Sequence, residues 1–138
     1  MTKAEMIDFI RRRSACTIAT CEGDRPRARV IMTYRADEDG IVFMTGAEKA
    51  FNRQLLVNPK VELCYYDPET VRTLRISGAV SPLPDDALKA QIVEAFSFLK
   101  PVAEAHGLGV FTVWRLAEGS ALIWDAEAPF APKEALAF

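Results

Sequence analysis

Histidine is nearly absent: the 138-residue chain holds one, His106. A lone imidazole cannot build a histidine-rich metal site, and the chain contains neither a G-x-S-x-G elbow nor a phosphate-gripping G-x-x-x-x-G-K-[ST] loop. Hydrolysis by a nucleophile and base therefore has no visible machinery. If the chain is an enzyme, its reactive atoms are expected to belong to a cofactor. Long apolar runs are also missing, so no transmembrane helix is expected, and the apolar run after Arg11-Arg12-Arg13 is too short for a secretory leader. Neither sign of charge dominates. Seventeen Lys+Arg against 19 Asp+Glu give a net charge of −2, which provides no field to hold nucleic acid or an anionic membrane. A soluble, cytoplasmic protein without either partner is expected. The three cysteines, Cys16, Cys21 and Cys64, are odd in number and lack C-x-x-C spacing. They read as reduced, mostly buried thiols, with Cys16 and Cys21 on opposite faces of one strand.

What is present is ordinary globular material: 50% hydrophobic and 26% charged residues, at a length suited to one domain over 1–138. Thr2 and Glu5 have capping-box spacing ahead of Met6, Phe9 and Ile10, which predicts a first helix ending in the solvated arginine triplet. Short β-like runs follow at Cys16–Cys21, Arg27–Tyr34 and Ile41–Thr45, with a turn at Asp37–Gly40. In the second run Ala28, Val30 and Met32 oppose Arg27, Arg29 and Ile31. Ala50–Val57 predicts a short helix closed by Asn58-Pro59. Val61–Tyr66 and Thr73–Val80 are two more strands, with Gly78 marking a bulge or a close backbone approach.

Asp85 opens a longer helix with Leu88, Ile92, Phe96 and Leu99 as its apolar stripe, ended or kinked at Lys100-Pro101. Val110–Leu116 and Ala121–Asp125 are the last strands, joined at Glu118-Gly119. The Pro- and Ala-rich tail from Ala126 is expected to pack loosely or across a partner. His106 beside Gly107 reads as a helix-end or loop residue, Gly107-Leu108-Gly109 as an isolated G-x-G, and Asp85-Asp86 as capping. Mostly antiparallel strands with helices inserted predict a small barrel, all-β or α+β.

Five pieces in order carry a resemblance: Pro26 to Met32 (Pro-x-x-Arg), Asp39 to Thr45, Lys49 with Gln54-Leu55, Asn58-Pro59 through Val61 to Cys64, and Arg75 to Gly78. Together they resemble the flavin-binding split-barrel superfamily of pyridoxamine 5′-phosphate oxidase and its short relatives. The resemblance implies a mainly β (α+β) fold, a six-stranded antiparallel split barrel of Greek-key type with peripheral helices. It further implies a homodimer with FMN in each of two clefts between subunits. Arg29, Lys49 and the Thr45 hydroxyl would hold the FMN phosphate, a planar fork, a mobile charge and a neutral donor. The backbone of Val30, Ile31 and Met32 would run beside the isoalloxazine. Gln54 matches the family's helix glutamine, Thr73 a position that reaches the other subunit's flavin, and Trp124 a tryptophan near the cofactor. Packing in the core or at a dimer face is the other reading of Trp124, and the core the reading of Trp114.

The family's oxidase also carries an Arg-x-His-Asp-Arg segment for pyridoxal substrates. None follows Trp124 here, so vitamin B6 oxidation is not expected. An FMN-dependent oxidoreductase, passing hydride from a reduced nicotinamide through flavin N5 to a small acceptor, is the leading expectation. Alternatives are the same fold holding deazaflavin or haem, with His106 the one imidazole for an axial ligand, a non-catalytic flavin carrier or sensor, and a cofactor-free OB-like binding module.

Overall fold

The capping box forms as its spacing dictates. In the computed structural model, which describes residues 1–138, Glu5 N–H donates to Thr2 Oγ1 (3.2 Å) and Thr2 N–H to the Glu5 carboxylate (2.6 Å). This starts helix α1 (Lys3–Arg12), which buries Met6, Ile7, Phe9 and Ile10. The strands that follow divide into two sheets. The larger has the order β10-β9-β6-β5-β1-β2, and the smaller β3-β4-β8-β7. The strands are β1 (Ala15–Glu22), β2 (Arg25–Met32), β3 (Arg35–Asp37), β4 (Gly40–Gly46), β5 (Lys60–Asp67), β6 (Arg72–Ala79), β7 (Ser81–Pro82), β8 (Phe111–Leu116), β9 (Ser120–Asp125) and β10 (Leu136–Ala137). All pairings are antiparallel. The fold is the expected split barrel, with ten strands in two sheets in place of six.

Register decides which residues face the interior. One row runs across the large sheet through Arg29, Ile18, Leu63, Ile76, Ala121 and Leu136. Its four central members are fully buried. Arg29 occupies the β2 end of that same inward row, where the sheet stops and the core gives way to a cleft. Strand β4 is covered on both sides, which explains its unbroken apolar run. Ile41 and Phe43 join the main core, whereas Val42 packs with Val113 against Leu88 and Ile92 of helix α3 (Asp86–Ala95). Helix α2 (Ala50–Val57) is tied down by Asn52. Its side chain accepts from Trp114 Nε1 (3.0 Å) and donates to the Ala47 carbonyl (3.0 Å). Trp114 is a core residue, as expected.

Several expectations need correction. The strand read as Arg27–Tyr34 ends at Met32. Thr33 then bonds back to Ser14, Tyr34 to Val42, and the chain changes sheets into β3. Alternation alone does not register a change of partner. The long helix breaks at Phe96, before the proline, and a 3₁₀ turn (Ser97–Leu99) leads into α4 (Lys100–His106). Pro101 therefore opens a helix, since at the first turn its missing N–H costs nothing. The tail returns: Leu136–Ala137 pair with β9, and Phe138 is buried. Of the cysteines only Cys16 is buried; Cys64 is half-buried and Cys21 exposed. Burial pushes the Cys16 thiol up to about 11. The arginine triplet is only partly solvated. Arg11 donates to the Ala36 carbonyl (3.0 Å), and Arg13 meets Asp67 (2.7 Å) and Glu69 (3.0 Å). His106 ends α4, as read from the sequence.

Two glycines are required by close approach. A Cβ on Gly78 would stand 2.8 Å from the Glu118 carbonyl oxygen. At Gly40, φ is +121°, and a Cβ would collide with the Leu116 carbonyl and come within 2.8 Å of Ala117 Cα. Gly40→Ala is expected to cost more than about 2 kcal/mol, from backbone strain and steric clash together, measured by urea unfolding.

Asp67 generates a pH prediction. Burial works against its charge, but hydrogen bonds from Thr70, Arg13 and the Glu69 N–H outweigh that, and its pKa falls to about 2. A carboxylate with a depressed folded-state pKa contributes stability above its unfolded value, and that stability drains away as pH falls toward the folded value. Stability should therefore decline on acidification from just above the ordinary Asp range toward pH about 2. Asp67→Asn should flatten that limb of the acid-unfolding profile.

Candidate functional site

The β2 edge, the end of β4 and the start of α2 converge on a cleft of about 730 Å³, within the size range of small-molecule and cofactor sites. Its other wall comes from α3 and α4. Six of the residues singled out from the sequence line it: Arg29, Val30, Ile31, Met32, Thr45 and Lys49. Thr45 continues the inward face of β4 and is buried at that strand's end. Lys49 is the N-cap residue of α2, and its aliphatic stem crosses the space over Gly46, whose added Cβ would meet Lys49 Cγ at 3.3 Å.

Arg29 is held entirely by neutral groups. Its guanidinium donates to Thr20 Oγ1 (2.7 Å) and Gln54 Oε1 (2.6 Å), and lies 4.3 Å from the centroid of the Phe51 ring. Phe51 in turn stacks on core Phe43 at 6.0 Å. Thr20 also donates to Gln54 Oε1 (2.6 Å), while Gln54 Nε2 donates to Glu22 (3.0 Å). Glu22 is the nearest acid in this network, and its carboxylate pairs with Arg27 (3.0 Å). Hydrogen bonds from Arg27 and Gln54 hold its pKa below the usual carboxylate value. Burial, then the neighbouring Arg27 charge, lowers the Arg29 pKa, although a guanidinium remains protonated. Neither Arg29 nor Lys49 joins any of the chain's ion pairs.

Helix α2 adds to this positive field. It has no side-chain cap hydrogen bond and no acid in its first turn, so its N–H dipoles are uncompensated. No carboxylate lines the cleft. The arrangement is built to take an anion. A second depression of about 620 Å³, beside α1, differs in kind, because its charges are of both signs and Arg72 and Asp125 pair within it (2.7 Å).

Gln54 is one step removed from the cleft, positioning Arg29 from α2. Thr73 and Trp124 are cross-strand partners on the outward face of β6 and β9, and neither lines the cleft of its own chain. His106 is exposed and also stands outside it. Sequence reasoning missed Thr20, Phe51 and the wall residues Phe96 and Phe98. Phe51 was within reach, since positions 51, 54 and 55 share one face of a helix. Thr20 was not, because its place depends on the register between β1 and β2.

The two sheets form a split barrel, with a cleft whose charged groups are both cations at the sheet edge, and the comparisons with known proteins place this fold in a family. The model of the pyridoxamine 5′-phosphate oxidase family matches residues 2–119, and the chain belongs to that family. The pyridoxine/pyridoxamine 5′-phosphate oxidase of Pseudomonas putida (strain GB-1) is 33% identical over 95 residues, covering 68% of this chain and 42% of that protein. The enzyme of the same name from Anaeromyxobacter dehalogenans is 36% identical over 73 residues, covering 52% and 37%. The chain thus spans less than half the length of these curated relatives. Among solved structures, a NimC/NimA family protein from Clostridium acetobutylicum superposes with TM-score 0.78 at 22% identity, covering 99% of this chain and 92% of that one. A heme binding protein from Mycobacterium smegmatis gives TM-score 0.71 at 16% identity, covering 99% and 58%. These two establish the shared fold. The family generally binds flavin and acts in redox chemistry, and its members are commonly dimeric.

Gln54→Glu would set a carboxylate directly on Arg29 and neutralise the site from within. Affinity for inorganic phosphate, followed by calorimetry, should fall by about tenfold or more, the scale of one charge-assisted hydrogen bond.

Proposed function

We propose that the chain binds FMN in this cleft and serves as an FMN-dependent oxidoreductase, as a homodimer. The observation that carries the reading is the guanidinium of Arg29, half-buried without an acid beside it and lining the same cleft as Lys49 and Thr45. A phosphate monoester dianion is the ligand group that matches this donor set. Arg29 would grip two of its oxygens, Lys49 would supply a point charge, and Thr45 a hydroxyl donor. The start of α2 would contribute N–H dipoles.

Val30, Ile31 and Met32 lie along the cleft at the open edge of the sheet. The register with β1 takes up the backbone groups of Ile31 with Cys16 and leaves those of Val30 and Met32, the alternate residues of this edge strand, free to bond the polar margin of a flavin ring. Apolar side chains such as Met44, Phe51 and Phe111 would exclude water from its faces. FMN held by these residues would supply two-electron redox chemistry, taking hydride from a reduced nicotinamide and passing it to a small acceptor. The cleft presents no histidine, which favours flavin over haem. It leaves deazaflavin as the second candidate.

The outward face of the large sheet suits a second copy of the chain. Val30 and Tyr66 are 70% and 52% exposed there, beside the half-buried row of Thr73 and Trp124. In such a dimer Thr73 would approach the partner's cofactor, the role the resemblance gives its position, and Trp124, its cross-strand neighbour, would lie close by.

Purified protein should absorb near ~450 nm and release FMN on denaturation, as expected of a bound flavin. Replacing both Arg29 and Lys49 with Ala removes two charge-assisted contacts of roughly 1.5–3 kcal/mol each, so FMN affinity should drop by about 10²–10⁴-fold. A folded, colourless dimer is the expected product. Retention of the yellow colour by that variant would reject the phosphate assignment.

A further inference from the structure

We infer that the cleft wall opposite the anion-binding groups selects an uncharged, planar aromatic substrate, with Phe98 and Phe96 making the selection; this rests on the proposed FMN reading. The polar side chains of the cleft, Arg29, Thr45 and Lys49, all come from β2, β4 and the start of α2. If those groups hold a phosphate, no charge is left over for a substrate. The facing wall, supplied by α3, the 3₁₀ turn and α4, is apolar throughout: Ile92, Phe96, Phe98, Leu99 and Val102. It offers no carboxylate, amide, hydroxyl or imidazole. A charged molecule entering there would shed water and gain no partner.

Two aromatic rings stand on this wall in unequal situations. Phe96 is half-buried and braced edge-on against Tyr34, with centroids 6.3 Å apart and planes at 75°. Phe98 lies 6.1 Å from Phe96 at 37°, yet is 69% exposed. The first ring is fixed by packing, and the second extends the aromatic surface into the mouth of the cleft. A phenyl ring left in water beside a fixed one serves no core. It does provide an open platform on which a flat apolar ring can stack with an offset. Because this surface lines a half-open, concave cleft of about 730 Å³ and not a flat face, its geometry favours a small molecule over a second protein.

The test uses the full-length, FMN-loaded protein and three probes of similar size: naphthalene-2-carboxamide (neutral), naphthalene-2-carboxylate (anionic) and N-methylquinolinium (cationic). Binding is read by calorimetry and by perturbation of the flavin absorption band. The carboxamide should bind at least about tenfold more tightly than either ion. Phe98→Ala should weaken it by about tenfold, whereas Phe98→Tyr should retain it. Sedimentation of the dimer should be unchanged in both variants, and FMN affinity should shift by less than the carboxamide affinity, because Phe98 lines the cleft but is outside the phosphate-holding groups. Equal binding of the three probes, or an unaltered Phe98→Ala variant, overturns the inference while leaving the FMN reading intact. Dissociation of the dimer by Phe98→Ala also overturns it, by assigning that ring to an interface between copies. Failure of the wild-type protein to take up FMN at all overturns the cofactor reading, and this inference with it.

Discussion

The site depends on one cation kept without a counterion. Partial burial of a guanidinium is unfavourable unless its N–H groups are bonded and its charge is answered. Arg29 has the first from Thr20 and Gln54, and part of the second from the face of Phe51. That ring is itself stacked on Phe43 in the core. The positioning of the charge thus draws on the stability of the main core, two rings away. Gln54 is the deciding residue in the network. Its carbonyl oxygen accepts from Arg29 and Thr20, and its amide nitrogen occupies Glu22. An amide can do both because it carries a donor and an acceptor at once. It keeps the acid occupied elsewhere and so preserves the attraction for an anion arriving from solution.

The same logic explains why the cleft lies where two sheets separate. Strand β4, buried on both faces, ends at Thr45 and Gly46, and within four residues the chain begins α2. Asn52, locked between Trp114 and the Ala47 carbonyl, sets the angle of that helix against β8. Its uncapped start is thereby presented to the cleft along with Lys49. One hydrogen-bonded asparagine on the far side of α2 therefore orients three sources of positive potential relative to one another: the helix dipole, Lys49, and Arg29 through Phe51 and Gln54.

Much of this fold could be read from local patterns. The capping box at Thr2, the helix at Ala50–Val57 and the close approach at Gly78 each rest on interactions within a few residues or on an absent side chain, and each is found in the structure. The boundaries that failed depend on distant partners. The break after Met32 reflects a strand leaving one sheet for another, and the return of Leu136–Phe138 reflects pairing with β9. In the site, the resemblance brought Arg29, Thr45 and Lys49 forward, and the structure places them around one cleft. The partners that give Arg29 its meaning could not be read. Whether Arg29 faces the core row or solvent is decided by the pairing of Ile18 with it, and a shift of one residue would reverse it.

That dependence on register has a consequence for assembly. Strand β2 is an edge strand whose residues alternate between two duties. Arg29 and Ile31 are partly buried, while Ala28, Val30 and Met32 are exposed, the last two at the rim of the cleft. Under the proposed dimer, the exposed side chains meet a second copy at the rim of the cleft while Arg29 and Ile31 meet the ligand. Edge strands are ordinarily the least restrained part of a sheet, held by neighbours on one side only. Ordering β2 by either contact lowers the cost of ordering it for the other. Ligand binding and subunit association are then linked through one strand, and linkage is reciprocal: whatever factor the ligand adds to dimer affinity, the dimer returns to ligand affinity. A cofactor cleft placed at an open sheet edge is in this sense incomplete as a rigid site until that edge is covered.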